Sequence, residues 1–220
     1  MTTSPAQRSL TRNSKPLSLQ GLGDLIANTD RRHRTVVAIV GAPGSGKSTI
    51  SDRLVARLNE RDNGSAAVLP MDGYHYDDRV LIERGLRALK GAPETFDVLG
   101  LCHALDRLRR NDEDEVTVPV FDRDLEIARA GARIIPRGVR HLIVEGNYLL
   151  LEEAPWSSLR PMFDVTVAID VPEETLRHRL AERWRGYRLT PAEIEARLEG
   201  NDLRNARHVI SRSRSADFVL

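Results

Sequence analysis

One stretch constrains this chain more than any other: Gly41-Ala42-Pro43-Gly44-Ser45-Gly46-Lys47-Ser48, followed by Thr49. It matches G-x-x-x-x-G-K-[ST], and its flanks are those such a loop requires. Before it runs Thr35 to Val40, β-branched and apolar, which reads as a buried strand. After it, Ile50, Leu54 and Leu58 recur every four residues along one helix face. Glycines let successive backbone N–H groups converge on phosphate oxygens without a side chain in the way. The following helix adds its free amides and positive dipole end. In such a cradle Lys47 reaches the β- and γ-phosphates and the Ser48 hydroxyl ligates Mg²⁺. Residues 41–49 are therefore expected to hold a nucleoside triphosphate. A glycine turn without a ligand would need neither flank.

Further apolar runs follow at Ala66 to Leu69, Val116 to Val120, Leu142 to Val144 and Val165 to Val171, with a closing one at Ala216 to Val219. Helical patterns lie between them, at Gly100 to Arg110, Pro172 to Arg185 and Pro191 to Ile210. Short apolar strands alternating with amphipathic helices imply an α/β fold: a mostly parallel sheet with helices on both faces, three layers in all. At 220 residues the chain suits one such domain, and no internal repeat or domain-sized linker divides it. Residues 1–16 are polar and basic and are expected to form a flexible arm, leaving 17–220 as the domain. Leu19, Leu22, Leu25 and Ile26 suggest a short helix, weakened by Gly21 and Gly23.

Charge narrows the partners. Thirty-three Lys and Arg against 32 Asp and Glu leave a net +1, too little to recruit nucleic acid or an acidic membrane. The six basic residues before Thr35 (Arg8, Arg12, Lys15, Arg31, Arg32, Arg34) carry no interleaved aromatics, so solubility explains them. A single cysteine, Cys102, excludes a disulfide framework or multi-cysteine zinc site. No apolar run approaches a membrane span, and no export signal is visible, which points to the cytoplasm. A homodimer is left open.

What receives the phosphate is the harder question. Guanine-specific enzymes carry an Asn-Lys-x-Asp element, which does not occur here; Asp97-Val98-Leu99-Gly100 fits D-x-x-G, a pattern too short to carry weight. Beyond the second strand stands Met71-Asp72-Gly73-Tyr74-His75. Ligands of open α/β sheets gather at the carboxyl ends of strands, so Asp72 should face the cleft beside the phosphate loop. A carboxylate there can orient an acceptor hydroxyl and take its proton. The alternative is that Asp72 only caps a turn.

These residues carry a resemblance. Asp72-Gly73-Tyr74-His75 resembles the D-G-F-H element of the uridine kinase, pantothenate kinase and phosphoribulokinase group of P-loop enzymes. Gly91-Ala92-Pro93-Glu94-Thr95-Phe96-Asp97 resembles its G-x-P-x-x-F/Y-D segment. Pro119-Val120-Phe121-Asp122-Arg123 resembles its P-x-Y-D element, with Phe121 in place of tyrosine, and Ile143-Val144-Glu145-Gly146 its I-V-E-G strand end. The likeness spans Thr35 to Leu220 with the motifs in order, nearest in look to bacterial proteins labelled fructose-transport-system kinases. It implies an ATP- and Mg²⁺-dependent small-molecule kinase with Asp72 as catalytic base and Glu145 near Mg²⁺ or the acceptor. Tyr74, His75, Phe121, Asp122, Arg123 and Glu145 would contact the substrate. Read from residue chemistry alone, Glu145, Asp122 and Arg123 could equally form ion pairs.

Arg179-Leu180-Ala181-Glu182-Arg183 has the R-L-x-x-R spacing that resembles the lid of P-loop kinases. Arg179 and Arg183, on one helix face, would neutralise the transferring phosphoryl group as a lid over about 172–190 closes. The alternative is a solvated helix, the preferred reading for Arg177 and Arg185. The expected function is transfer of the γ-phosphoryl of ATP to a hydroxyl of a small metabolite, a sugar such as fructose. A uridine- or pantothenate-type acceptor, or an NTP-driven binding module, are the alternatives.

Overall fold

The apolar run that precedes the phosphate loop becomes a central strand. The computed structural model describes residues 9–29 and 33–220. Its first elements are β1 (Lys15–Pro16), α1 (Leu19–Ala27), β2 (Thr35–Gly41), α2 (Lys47–Arg61), β3 (Ala66–Pro70), α3 (Asp78–Glu83) and α4 (Val98–Arg110). Then come β4 (Glu115–Asp122), β5 (Ile127–Pro136), β6 (His141–Gly146), β7 (Val165–Ile169), α5 (Glu173–Gly186), α6 (Pro191–Arg197), α7 (Leu203–Arg212) and β8 (Phe218–Val219). Six strands form one sheet in the order β1-β8-β7-β2-β6-β3, every pair parallel.

Period-two alternation in β2 divides the core. Val37 and Ile39 face Leu54 and Leu58 of α2 and Leu22 and Ile26 of α1. Val36, Ala38 and Val40 face the other way, toward Leu101, Leu105 and Leu108 of α4. Both faces of β2 are thus covered, which is why the strand is apolar throughout. A third apolar cluster joins α5, α6 and α7 through Leu180, Ile194, Leu203 and Ala206, and reaches the phosphate loop at Ala42. No helix among the described residues is long and apolar enough to cross a membrane.

Four sequence expectations bear comparison with the structure, and three of them need correction. Residues 1–8 of the expected arm, with Arg8, and also Arg31 and Arg32, lie outside the described residues. Residues 9–16 are not loose, however. Leu10 is buried, its N–H and carbonyl bond Ile210 and Ala216, and β1 pairs with β8. Polar composition concealed one buried anchor and a backbone ladder. Second, the expected short helix, α1, forms with its glycines in place. Ser18 caps it by accepting from Gly21 N–H, and a Cβ at Gly23 would come within 2.9 Å of Arg57 Cδ.

Third, β4 is not part of the parallel sheet. It pairs antiparallel with β5, which only Ile135 buries fully and which therefore shows no apolar period. Fourth, the Pro191–Ile210 helix is broken by a π-helical turn, Leu198–Asp202, around Gly200. The hairpin is pinned at its root by the buried Arg34, whose guanidinium donates to the carbonyls of Leu108, Pro136 and Val139 and to Asn111 Oδ1 at 2.6–3.0 Å.

Candidate active site

Strand order assembles the site. β2, β6 and β3 are neighbours, with Val40 opposite Gly146 and Pro70 opposite Glu145. Their carboxyl ends therefore present, side by side, the phosphate loop, Glu145 and Asp72, at the edge where parallel sheets bind ligands.

The loop owes its shape to glycine. Gly44 and Gly46 have φ of 78° and 93°, values that disfavour any side chain. A Cβ on Gly41 would lie 2.7 Å from Ser45 Oγ and 3.0 Å from the Ile169 carbonyl. Gly46 caps α2 without a side chain, so the first-turn amides stay directed into the loop. Lys47 is buried beneath, its Nζ donating to the Ala42 carbonyl at 3.1 Å. Burial lowers its pKa, opposed by the charges of Glu145 and Asp72.

Ser48 Oγ donates to Glu145 Oε1 at 3.1 Å. Glu145 is buried, and its pKa is raised first by desolvation and then by Asp72, against Lys47 and the Ser48 bond. Asp72 sits in the 3₁₀ turn Met71–Tyr74 and accepts from Arg123 Nη2 at 2.9 Å. Each of the two carboxylates precedes a glycine forced by crowding. A Cβ at Gly73 would fall 2.4 Å from the Pro119 carbonyl, and one at Gly146 would fall 2.5 Å from Met71 Cβ. Without those glycines the hairpin and the strand ends could not close on one another.

A hydroxyl and two carboxylates that repel one another are hard oxygen donors suited to a divalent cation such as Mg²⁺. Among the described residues no cluster of three or more His, Cys, Asp or Glu side chains forms a protein-only metal cage. The donor set fits a cation that takes its remaining ligands from phosphate and water.

Beside these groups lies a cleft of about 180 Å³ lined by Ser48, Asp52, Asp72, Phe121, Arg123, Arg133 and Glu145, with Val68, Pro70 and Val120 as its apolar floor. Phe121, Arg123 and Glu145 stand where a substrate would meet them. Three expected contacts do not. Tyr74 turns into the core beside Phe96 and Leu101, where burial raises its pKa. His75 packs between Phe96 and Phe121, ring centroids 4.0 and 4.7 Å away, and its Nδ1–H donates to the Asp72 carbonyl at 2.8 Å. Asp122 is consumed by Arg129 and by the amides of Asp124 and Leu125. All three build the wall rather than face the cleft. Asp52 and Arg133 belong to no motif and were missed; only three-dimensional proximity reveals them.

On α5, Arg179 Nη1 donates to the Gly44 and Ser45 carbonyls, both at 3.3 Å. Arg183 lies 3.6 Å from Asp202 Oδ1 and 5.0 Å from the Trp184 ring centroid, close enough to Lys47 that its charge further lowers that pKa. Asp202 also accepts from Trp184 Nε1 at 2.6 Å, so the π turn supplies an anchor for Arg183. Burial raises the Asp202 pKa, against Trp184 and Arg183. Arg177 pairs with Glu195 and Glu199, and Arg185 with Glu182, on the exposed side.

No family model matches the chain. Among curated relatives, the "Putative uridine kinase C227.14" of Schizosaccharomyces pombe is 35% identical over 197 residues, 86% of this chain and 83% of that protein. The pantothenate kinase of Yersinia enterocolitica is 28% identical over 184 residues, 80% of this chain and 58% of that protein. The crystal structure of a "putative fructose transport system kinase" from Silicibacter sp. TM1040 superposes with a TM-score of 0.86 at 41% identity, covering 93% of this chain and 99% of that one. Fold, phosphate loop and paired carboxylates define a P-loop phosphotransferase. The chain belongs to the uridine kinase and pantothenate kinase group of P-loop kinases.

Proposed function

We propose that this kinase transfers the γ-phosphoryl group of ATP to a hydroxyl of a small metabolite, a sugar such as fructose. The observation that carries this reading is the placement of Asp72 at the cleft wall, beside Glu145 and within electrostatic reach of Lys47. Arg123 occupies Asp72 Oδ2, which leaves Oδ1 to accept the hydroxyl proton. As that proton moves to Asp72, the acceptor oxygen attacks the γ-phosphorus and the bond to ADP breaks. Lys47, the α2 amides, Arg179 and Arg183 stabilise the charge on the transferring group. Ser48 and Glu145 would hold Mg²⁺, which when bound neutralises phosphate charge.

The sugar assignment draws support from the Silicibacter relative, whose description names fructose transport. The test is ADP release from the full chain with ATP, Mg²⁺ and a panel of sugars, nucleosides and vitamin precursors. Release that depends on a sugar supports the proposal. Release without any acceptor overturns it in favour of an NTP-driven binding module.

A further inference from the structure

This inference rests on reading the cleft as the acceptor site of a kinase, and narrows the acceptor from a neutral sugar such as fructose to a charged derivative. We infer that the acceptor carries, besides its hydroxyl, a small oxyanion (a carboxylate or a phosphate), and that Arg133 binds it.

The β4–β5 ladder is irregular where it borders the cleft. Val118 pairs with Arg133 and Val120 with Arg129, so two steps on β4 match four on β5. Pro119, lying between, has no N–H to give the ladder. The extra length on β5 passes through Gly131 at φ 63°. Bulges of this kind bend a strand and re-aim a side chain. Arg133 closes the regular part of the ladder, on the same face as the buried Ile135, and joins Asp72 and Asp52 in lining the cleft.

Three arginines stand on this hairpin, and two have their charge matched. Arg123 pairs with Asp72 at 2.9 Å and Arg129 with Asp122 at 3.1 Å. Arg133, half-buried, donates Nη1 to the Val68 carbonyl at 2.5 Å and forms no ion pair among the described residues. A carbonyl fixes the guanidinium plane but does not cancel its charge. The remaining N–H groups form a rigid fork, the geometry that suits a carboxylate or phosphate. A partly desolvated cation without a counter-charge is costly, and a ligand oxyanion supplies the missing partner. A neutral sugar or nucleoside would leave that fork without an ion-pair partner. Asp52, on α2 one turn beyond Ser48, supplies an acceptor for further hydroxyls on the same molecule.

The experiment compares ADP release from the full chain with fructose and uridine as neutral acceptors, gluconate and pantothenate as carboxylates, and fructose 6-phosphate as a phosphate. Calorimetric binding of each compound is measured in parallel. At least one charged compound should show a KM or Kd tenfold or more below the neutral ones. Arg133→Gln should raise that constant tenfold to about a hundredfold, the usual worth of a charge-assisted contact, with kcat changed far less. Arg133→Lys should recover part of the loss, and it replaces the glutamine variant if that one does not fold. The carboxylate and phosphate arms distinguish the two oxyanions. A neutral acceptor preferred over every charged one, or a charged one unaffected by Arg133→Gln, overturns the inference while the kinase reading stands. If no compound drives ADP release, the kinase reading fails. Calorimetry then decides the inference separately: charged-ligand binding lost in Arg133→Gln supports it, and no binding of any charged compound overturns it.

Discussion

The phosphate cradle and the acceptor cleft share one edge of the sheet yet are built differently. The cradle is contiguous, residues 41–48, and its shape follows from local backbone conformations at Gly44 and Gly46. The cleft draws on α2, β3 and its following turn, the β4–β5 hairpin and the end of β6. One is fixed by what each residue can do with its own dihedrals. The other depends on distant segments docking within van der Waals contact, as at Gly73 against Pro119. A local device can hold the constant partner of the reaction, whereas a composite cleft can change its acceptor by changing single side chains.

The sharpest separation of the two regions is Lys47→Ala, which should abolish turnover with every acceptor. Full activity in that variant would remove the cradle from the chemistry. Next in size, Asp72→Asn should cut kcat by about 10²–10⁴ while ATP affinity stays near that of the wild type. Collapse of ATP binding would instead make Asp72 part of the cradle. Arg183→Ala, acting on the cradle from α5, should lower kcat about tenfold or more with a smaller effect on ATP affinity. Single-turnover rates and nucleotide titration read the two separately.

The smallest effect belongs to the cleft wall. Burial lowers the His75 pKa below its ordinary 6.5, opposed mainly by Asp72. The unfolded chain therefore binds more protons than the folded one below about pH 6.5, so His75 costs stability increasingly as pH falls through that value. Melting temperature followed from pH 8 to 5 should fall more steeply for the wild type than for His75→Asn. Parallel curves would show that the histidine titrates alike in the folded and unfolded chain, so that burial does not lower its pKa.

How legible each region was follows from the same contrast. The cradle, Glu145 and Asp72 could be read because their chemistry is written within a few neighbouring residues and the strands that carry them stand out as apolar runs. Tyr74, His75 and Asp122 were read as substrate contacts because they adjoin the right residues, but chain adjacency does not say which way a side chain turns. Arg133 and Asp52 carry no local pattern. Asp202 reaches Arg183 through a π turn whose sign in the sequence is Gly200 inside a helical stretch. The stitching of residues 9–16 to the chain's far end was masked by their polarity, since backbone hydrogen bonds are indifferent to composition.

Arg34 adds a mechanical consequence. It stands next to the first residue of β2 and clasps the root of the hairpin, while the far end of β2 runs into the cradle. The root of the hairpin that walls the cleft is thus tied to one end of the strand whose other end enters the cradle, so hairpin and cradle cannot drift apart independently.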